Sequence, residues 1–329
     1  MAPEAAPLAE LRALALAYRG RTALDGVDLD LRAGQITALL GPNGAGKTSL
    51  MRLAAGRLAP ERGSVRVAGG DPHANRATRR LIGWVPQEIA LYPRLTVIEN
   101  LDVFAQLAGL GRRERRAALP LVLERTATGD VAGRIVGTLS GGYRRRVNIA
   151  ASLVTDPRLI LLDEPTQGVD LEAREAIHAV LARLRSAGAA ILIATHDFAE
   201  AERLADRIAI LREGRLLREG ARAALLGPYA EAPPEHEALL DAVPGPAADS
   251  ALRRRGFLPR DDGLTWRAAH GVADDLDGSR LLAALRAEGV ALAELRLRRP
   301  GLEALYRDTL APARPAATRP ARELAEAAG

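Results

Sequence analysis

The stretch ITALLGPNGAGKTSLMRLAA, Ile36 to Ala55, decides the fold. ITALL (Ile36 to Leu40) reads as a buried strand, GPNGAGKT (Gly41 to Thr48) as a glycine-rich loop, and Thr48 to Ala55 as a helix opening on that loop. Strand, loop and helix in this order are the setting a phosphate-binding loop requires. Successive backbone N–H groups of Gly44 to Thr48 then point at a β-phosphate, with the positive end of the helix dipole behind them, and the Thr48 hydroxyl is placed to ligate magnesium. Lys47 is the one lysine of a chain with 45 arginines. A compact ammonium on a flexible stem reaches between two phosphates inside a tight loop, where a planar guanidinium is too wide. The arginine bias elsewhere is compositional, and Lys47 marks a nucleotide site.

Outward from this loop, the first two hundred residues alternate short β-rich runs with helical patterns, which predicts an α/β sheet with crossover helices. LILLDEPT puts Asp163 and Glu164 at the end of a strand made of Leu159 to Leu162. In a phosphate-loop enzyme the first acid holds magnesium through water and the second polarises an attacking water, so Glu164 is the general-base candidate. AAILIATHD ends at His196, whose imidazole is suited to meet a γ-phosphate and its attacking water. His73, His178, His236 and His270 have no such context and read as surface.

Composition bounds the alternatives. The 329 residues, 48% of them apolar, predict one large domain and a smaller one. Having no cysteine excludes disulfides, thiolate metal sites and cysteine catalysis. No run approaches the roughly eighteen uninterrupted apolar residues of a membrane span. The start, MAPEAAPLAE, lacks a basic region followed by an apolar stretch, so a cytoplasmic protein is expected. The net charge of +5 is spread through interleaved arginines and acids, as in ELRALALAYRGRTALDG, which favours an ordinary solvated surface over a nucleic-acid footprint.

LSGGYRRR places Ser140, Gly141 and Gly142 at the start of a helical pattern running through Val147, Ala150, Ala151 and Val154. Ser140 is suited to cap that helix, and the glycines let the backbone approach a phosphate. One chain holds one nucleotide with its phosphate loop, so this second anion-binding loop lacks a ligand unless it serves a neighbour. Here the sequence resembles the nucleotide-binding subunits of the ABC (ATP-binding cassette) family, over about residues 8 to 222 and with every motif in order.

The resemblance implies an ATPase with the phosphate-loop NTPase core of ABC type, a helical subdomain over about residues 88–157, and ATP and Mg2+ as ligands. It implies that Tyr18 stacks on adenine, that Gly41, Pro42, Asn43, Gly44, Ala45, Gly46, Lys47, Thr48 and Ser49 hold the phosphates, and that Gln87 senses magnesium and water. Thr48, Gln87 and Asp163 bear the metal, Glu164 and His196 the catalysis with Lys47 and Gln87, and Asp170 lies at a dimer seam. Ser140, Gly141 and Gly142 match the signature loop that closes on the ATP of the other protomer. The chain departs from the family at Tyr143, where glutamine is usual, so no contact is carried over there. A homodimer or a pairing with a sister subunit, an integral membrane permease on another chain, no nucleic acid, and a peripheral place on the cytoplasmic face of the inner membrane are further implications. The alternative is a soluble ABC ATPase that clamps nucleic acid or a ribosome.

Val97, Leu101, Phe104 and Leu107 share one helical face in the insert between Gln87 and Ser140, and Arg112, Arg113, Arg115 and Arg116 form a charge run read as a solvated helix face. Residues 223–250 are rich in proline and acid and read as a linker. A small α+β domain is expected over 251–311: a hairpin around Asp262-Gly263, a helix capped by Ser279, a strand through Leu295 and Leu297, and an ending with Leu302, Leu305 and Tyr306 at helical spacing. That ending resembles the terminal helix of bacterial ABC exporters of the daunorubicin-resistance kind, which leans the reading toward export. Residues 312–329 are expected to be disordered.

Overall fold

The computed structural model describes residues 6–230, 235–260, 262–268, 278–298 and 300–310. The chain divides into two compact units, 1–227 and 228–329. The first opens with β1 (Ala9–Tyr18) and β2 (Arg21–Leu31), an antiparallel pair joined on its other edge by β4 (Arg62–Val67). Between them in sequence come β3 (Ile36–Leu40) and α1 (Lys47–Ala54), followed after β4 by α2 (Arg76–Arg80) and β5 (Ile82–Val85). The chain continues through α3 (Val97–Leu107), α4 (Arg112–Arg125), α5 (Gly141–Ser152), β6 (Leu159–Asp163), α6 (Leu171–Ser186), β7 (Ala190–Ala194), α7 (Phe198–Leu204), β8 (Arg207–Arg212), β9 (Arg215–Ala221) and α8 (Arg222–Ala230).

β5, β6, β7, β3, β8 and β9 form the central sheet in that order, parallel except for β9. ITALL, LILLD and AILIA are buried at every position, the signature of parallel strands covered on both faces. Register aligns their carboxyl ends: Leu39 pairs with Ala194, and Ala194 with Asp163. The residues following β3, β6 and β7 therefore leave the sheet at one edge, where α/β folds bind ligands. Leu50, Met51 and Leu53 of α1 pack with Leu11, Leu24, Leu39 and Leu211, locking the antiparallel sheet and the central sheet into one core. Each such side chain contributes about 1.5–3 kcal/mol on burial.

Two details of this unit differ from expectation. Leu107 is 65% exposed and Phe104 half-buried; the inward face of α3 is Val97, Asn100, Leu101 and Ala105. The stripe turns because Asn100 is itself buried, bonding the Tyr92 and Thr96 carbonyls through its amide. His178 is also buried rather than on the surface: it stands on the inward stripe of α6, and Glu200 of α7 takes its Nε2 at 3.3 Å while accepting from Thr166 Oγ1 at 2.7 Å. Within the charge run, Arg115 is half-buried and bonds Asp102, while Arg112, Arg113 and Arg116 are exposed as expected.

The second unit holds β10 (Glu235–Leu240), α9 (Pro246–Arg254), β11 (Phe257–Pro259), β12 (Thr265–Ala268), α10 (Gly278–Ala287), β13 (Leu292–Arg298) and α11 (Leu302–Leu310). The sheet order is β11-β12-β10-β13, antiparallel throughout, over a core of Phe257, Trp266, Leu252, Leu281 and Leu285. β11 and β12 make the hairpin around Asp262, whose carboxylate accepts from the Leu264 and Thr265 amides. Residues 223–250, read as a linker, instead carry α8, a strand paired on both sides and the start of α9. EHEALL hides its role because Glu237 is buried against Arg267 Nε at 2.7 Å, so a charged letter stands at an inward position. His236, expected on the surface, is buried on the same strand. His270 and residues 312–329 lie outside the described residues. No helix of the described residues is long and apolar enough to cross a membrane.

Candidate active site

The loop after β3 wraps the N-terminus of α1. Gly46 caps that helix at φ 108°, and a Cβ there would stand 2.5 Å from the Ala23 carbonyl oxygen, so glycine is required both for the turn and for the approach. No side chain caps α1, which leaves its first-turn N–H groups directed at the loop mouth. Lys47 is 8% exposed and donates to the carbonyls of Gly41 at 2.6 Å and Pro42 at 3.2 Å. Burial pushes its ammonium below the ordinary lysine range, opposed by the charges of Glu164 and Asp163. A buried cation beside the uncapped N–H groups of a helix start is the electrostatics of a phosphate site.

Asp163, the last residue of β6, is buried and accepts from Thr48 Oγ1 at 2.9 Å. Glu164 follows at φ 49°, a left-handed conformation uncommon for a side-chain-bearing residue. Its amide donates to Ala194 O at 2.9 Å, and its carboxylate meets His196 Nδ1 at 2.9 Å. Gln87 lies across from them with its amide donating to Gln167 Oε1 at 2.7 Å. Tyr18, Pro42, Asn43, Gly44, Ala45, Gly46, Lys47, Thr48, Ser49, Gln87, Asp163, Glu164 and His196 line one cavity of about 570 Å³, a volume suited to a nucleotide. Gly41 does not line it; a Cβ there would stand 2.3 Å from the Leu211 carbonyl oxygen, so only glycine fits.

Four expected residues face elsewhere. Ser140 caps α5, accepting from the Tyr143 amide at 3.4 Å, and Asp170 caps α6, accepting from Ala173 N at 2.8 Å. A Cβ on Gly142 would stand 2.3 Å from Ala173 Cβ, so this glycine is where α5 and α6 touch. Neither these three nor Gly141 lines the cavity. Tyr143 turns inward onto its own unit: its hydroxyl donates to Asp130 at 2.6 Å and Arg146 stacks on its ring at 4.2 Å.

Sequence reasoning missed Arg21, Thr22 and Gln167, which also line the cavity, and Arg145 beneath it. Arg145 is 4% exposed and donates to the carbonyls of Gln87 and Glu164 at 2.7 and 2.6 Å. A run of three arginines reads as solvated charge, but the spacing of Gly142, Arg145 and Ile149 carried the signal of one buried helix face. A larger cavity of about 780 Å³ lies on another side of the unit, lined by Trp84, Phe104 and Leu107 with Arg57, Arg76 and Arg79. No lysine or carboxylate converges there.

Residues 24–167 match the ABC transporter family. A Nod factor export ATP-binding protein I of Paraburkholderia xenovorans is 41% identical over 225 residues, 68% of this chain and 73% of the relative. This chain is an ABC ATPase. A daunorubicin resistance ATP-binding protein of Streptomyces coeruleorubidus is 36% identical over 304 residues, 88% of this ABC chain and 91% of the relative. Among solved structures, a dimeric post-hydrolysis ATP-binding cassette bound to ADP and phosphate superposes with a TM-score of 0.58 at 28% identity, covering 65% of this chain and 98% of that one. The CbiO1 component of a Clostridium perfringens ABC transporter complex gives 0.62 at 28% identity, covering 68% and 92%. The α/β cassette fold and the ATP-hydrolysing class expected from the motifs are thus both established for the ABC ATPase.

Proposed function

We propose that this ABC ATPase is the energy-supplying subunit of an exporter: two cassettes close on two ATP molecules and drive a permease carried on another chain. The carrying observation is the division of the site. Lys47, Thr48, Asp163, Glu164 and His196 share one cavity, while Ser140, Gly142 and Asp170 stand outside it with no nucleotide of their own to hold. A signature loop that lies outside its own phosphate-loop cavity finds a nucleotide only when a second copy, or a sister subunit, receives it at the opposite site. Residues 8–222 are taken as the cassette and the second unit as its appendage.

The donor set fits magnesium. Asp163 is a buried carboxylate bonded to the Thr48 hydroxyl, and the remaining positions fall to phosphate oxygens and water, with Gln87 close by. When bound, the ion would neutralise charge on the β- and γ-phosphates. Lys47 and the loop amides stabilise the transferring charge, Tyr18 takes the adenine, Glu164 orients and deprotonates the attacking water, and His196 fixes the Glu164 carboxylate. Export is favoured by the names of the relatives, and the daunorubicin-resistance match runs on into the second unit. The cavity lined by Trp84, Phe104 and Leu107 is suited to receive a segment of the permease, which would hold this chain peripherally at the cytoplasmic membrane face.

The test is affinity purification of the Glu164→Gln chain from gently solubilised membranes. That variant is expected to bind ATP, lose roughly 10²- to 10³-fold in turnover, as for removal of a general base, and accumulate as a dimer. A stoichiometric polytopic partner supports the reading. Recovery as a monomer at saturating ATP, or with ribosomes or nucleic acid instead of a membrane protein, overturns it.

A further inference from the structure

Arg145 is the most deeply buried cation at the site, and its guanidinium is bonded to main chain. Nη1 donates to Gln87 O at 2.7 Å and Pro86 O at 3.2 Å, and Nη2 to Glu164 O at 2.6 Å. One planar fork thus ties the loop after β5, which bears Gln87, to the residue after β6, which bears the general-base carboxylate. Glu164 needs that tie. At φ 49° it occupies a conformation that costs of order 1 kcal/mol or more, and it persists only where its surroundings fix it. Its amide is held by Ala194, and its carbonyl accepts from Arg145 Nη2 at 2.6 Å and from the Gln167 amide at 3.3 Å, so Arg145 supplies the shorter of its two bonds. The nearby acids Asp163, Glu164 and Glu200 offset the cost of burying the guanidinium, whose proton affinity burial lowers. A delocalised fork can serve two diverging carbonyls at once; a lysine ammonium is a point donor. Arg145 also stands five residues along the helix that Ser140 opens, and Gly142 of that helix abuts α6.

We propose that Arg145 is a positioning residue that sets the Glu164 carboxylate through its main chain and makes that setting depend on the position of the Gln87 loop. The inference rests on Glu164 being the general base, as read above. A shift of the Gln87 carbonyl withdraws Nη1, rotates the guanidinium, and leaves the Glu164 carbonyl with only its longer bond to the Gln167 amide.

The experiment uses the full chain with Arg145→Gln and Arg145→Lys, each alone and in the Glu164→Gln background, measuring steady-state hydrolysis of MgATP and ADP affinity by calorimetry. Arg145→Gln is expected to lower kcat about 10²-fold, the cost of a misplacement near 1 Å, with KM and ADP affinity changed by less than about twofold. Arg145→Lys keeps the charge without the fork and should recover only part of the rate. In the Glu164→Gln background neither change should lower the residual rate further, because the group being positioned is gone. Equal losses in kcat and ADP affinity, multiplicative losses in the double variants, or full rate in Arg145→Lys overturn the proposal. Should Arg145→Gln fail to fold, Arg145→Lys decides alone, by its kcat against its ADP affinity. If Glu164→Gln by itself left hydrolysis intact, the reading of Glu164 would fall instead.

Discussion

The two halves of the nucleotide machinery are built by different means. Lys47, Asp163, Glu164 and His196 are placed by three parallel strands whose register brings their carboxyl ends to one edge, and the side chains meet in a single cavity. Ser140, Gly142 and Asp170 are placed by helix caps and by the contact of α5 with α6, and they meet no such cavity. Strand ends gather their side chains into a cavity within one chain, whereas cap residues on a helical surface gather none. The difference is what the proposed closure of two cassettes requires: the signature face would enter at closure rather than at binding.

The largest expected effect falls on the strand-end half. Lys47→Ala removes the buried ammonium proposed to meet the phosphates, and hydrolysis measured by phosphate release should drop by about 10³-fold, in the range seen for loss of preorganised charge stabilisation. Near-normal turnover would dissolve the comparison at its root. Ser140→Ala should lower turnover by about tenfold to 10²-fold while leaving ADP affinity of the isolated subunit unchanged. Mixing Ser140→Ala with Lys47→Ala chains should restore hydrolysis, since one composite site in each mixed dimer then has both residues intact. A mixture no more active than its components would place Ser140 in its own chain's site.

The comparison sharpens further at two adjacent glycines. Gly142→Ala drives a Cβ to 2.3 Å from Ala173 Cβ and should destabilise the fold by about 1–3 kcal/mol, the usual cost of overpacking. Gly141→Ala meets no atom within 4 Å and should leave the thermal midpoint near wild type. Equal midpoints for the two would show that α5 and α6 separate freely.

The smallest effect concerns the second unit. Hydrogen bonds from Arg255 and Arg254 hold Glu288 below the ordinary glutamate range, and Asp262 is lowered by Thr265. Burial is the largest influence on Glu303 and raises it, but the hydrogen bonds and charge of Arg267, together with the charges of Arg307 and Arg260, leave it lowered as well. A carboxylate depressed by folding adds stability above its unfolded pKa and loses it as pH falls through the folded value. The second unit should therefore weaken on acidification below the usual carboxylate range. Trp266 is buried in its core and Trp84 lies in the first unit, so fluorescence of a Trp84→Phe chain reports the second unit alone. A Trp266 signal independent of pH from 7 to about 3 would show that these ion pairs are screened surface contacts of no consequence.

The sequence by itself determined which strand-end residues come together in one cavity. A strand, a glycine loop with the chain's one lysine, and two further apolar runs ending in Asp163-Glu164 and His196 are local patterns, and a parallel strand buried on both faces can be written in few other ways. Helix caps were equally legible at Ser140, because capping is a relation between residues three apart. What only the tertiary structure decided depends on partners distant in sequence. Arg145 is buried because the Gln87 and Glu164 carbonyls receive it, His178 because Glu200 of another helix meets it, and β10 is a central strand because Arg267 neutralises Glu237. A charged residue looks solvated until its partner is known, and that partner is supplied by the fold, not by the neighbouring sequence.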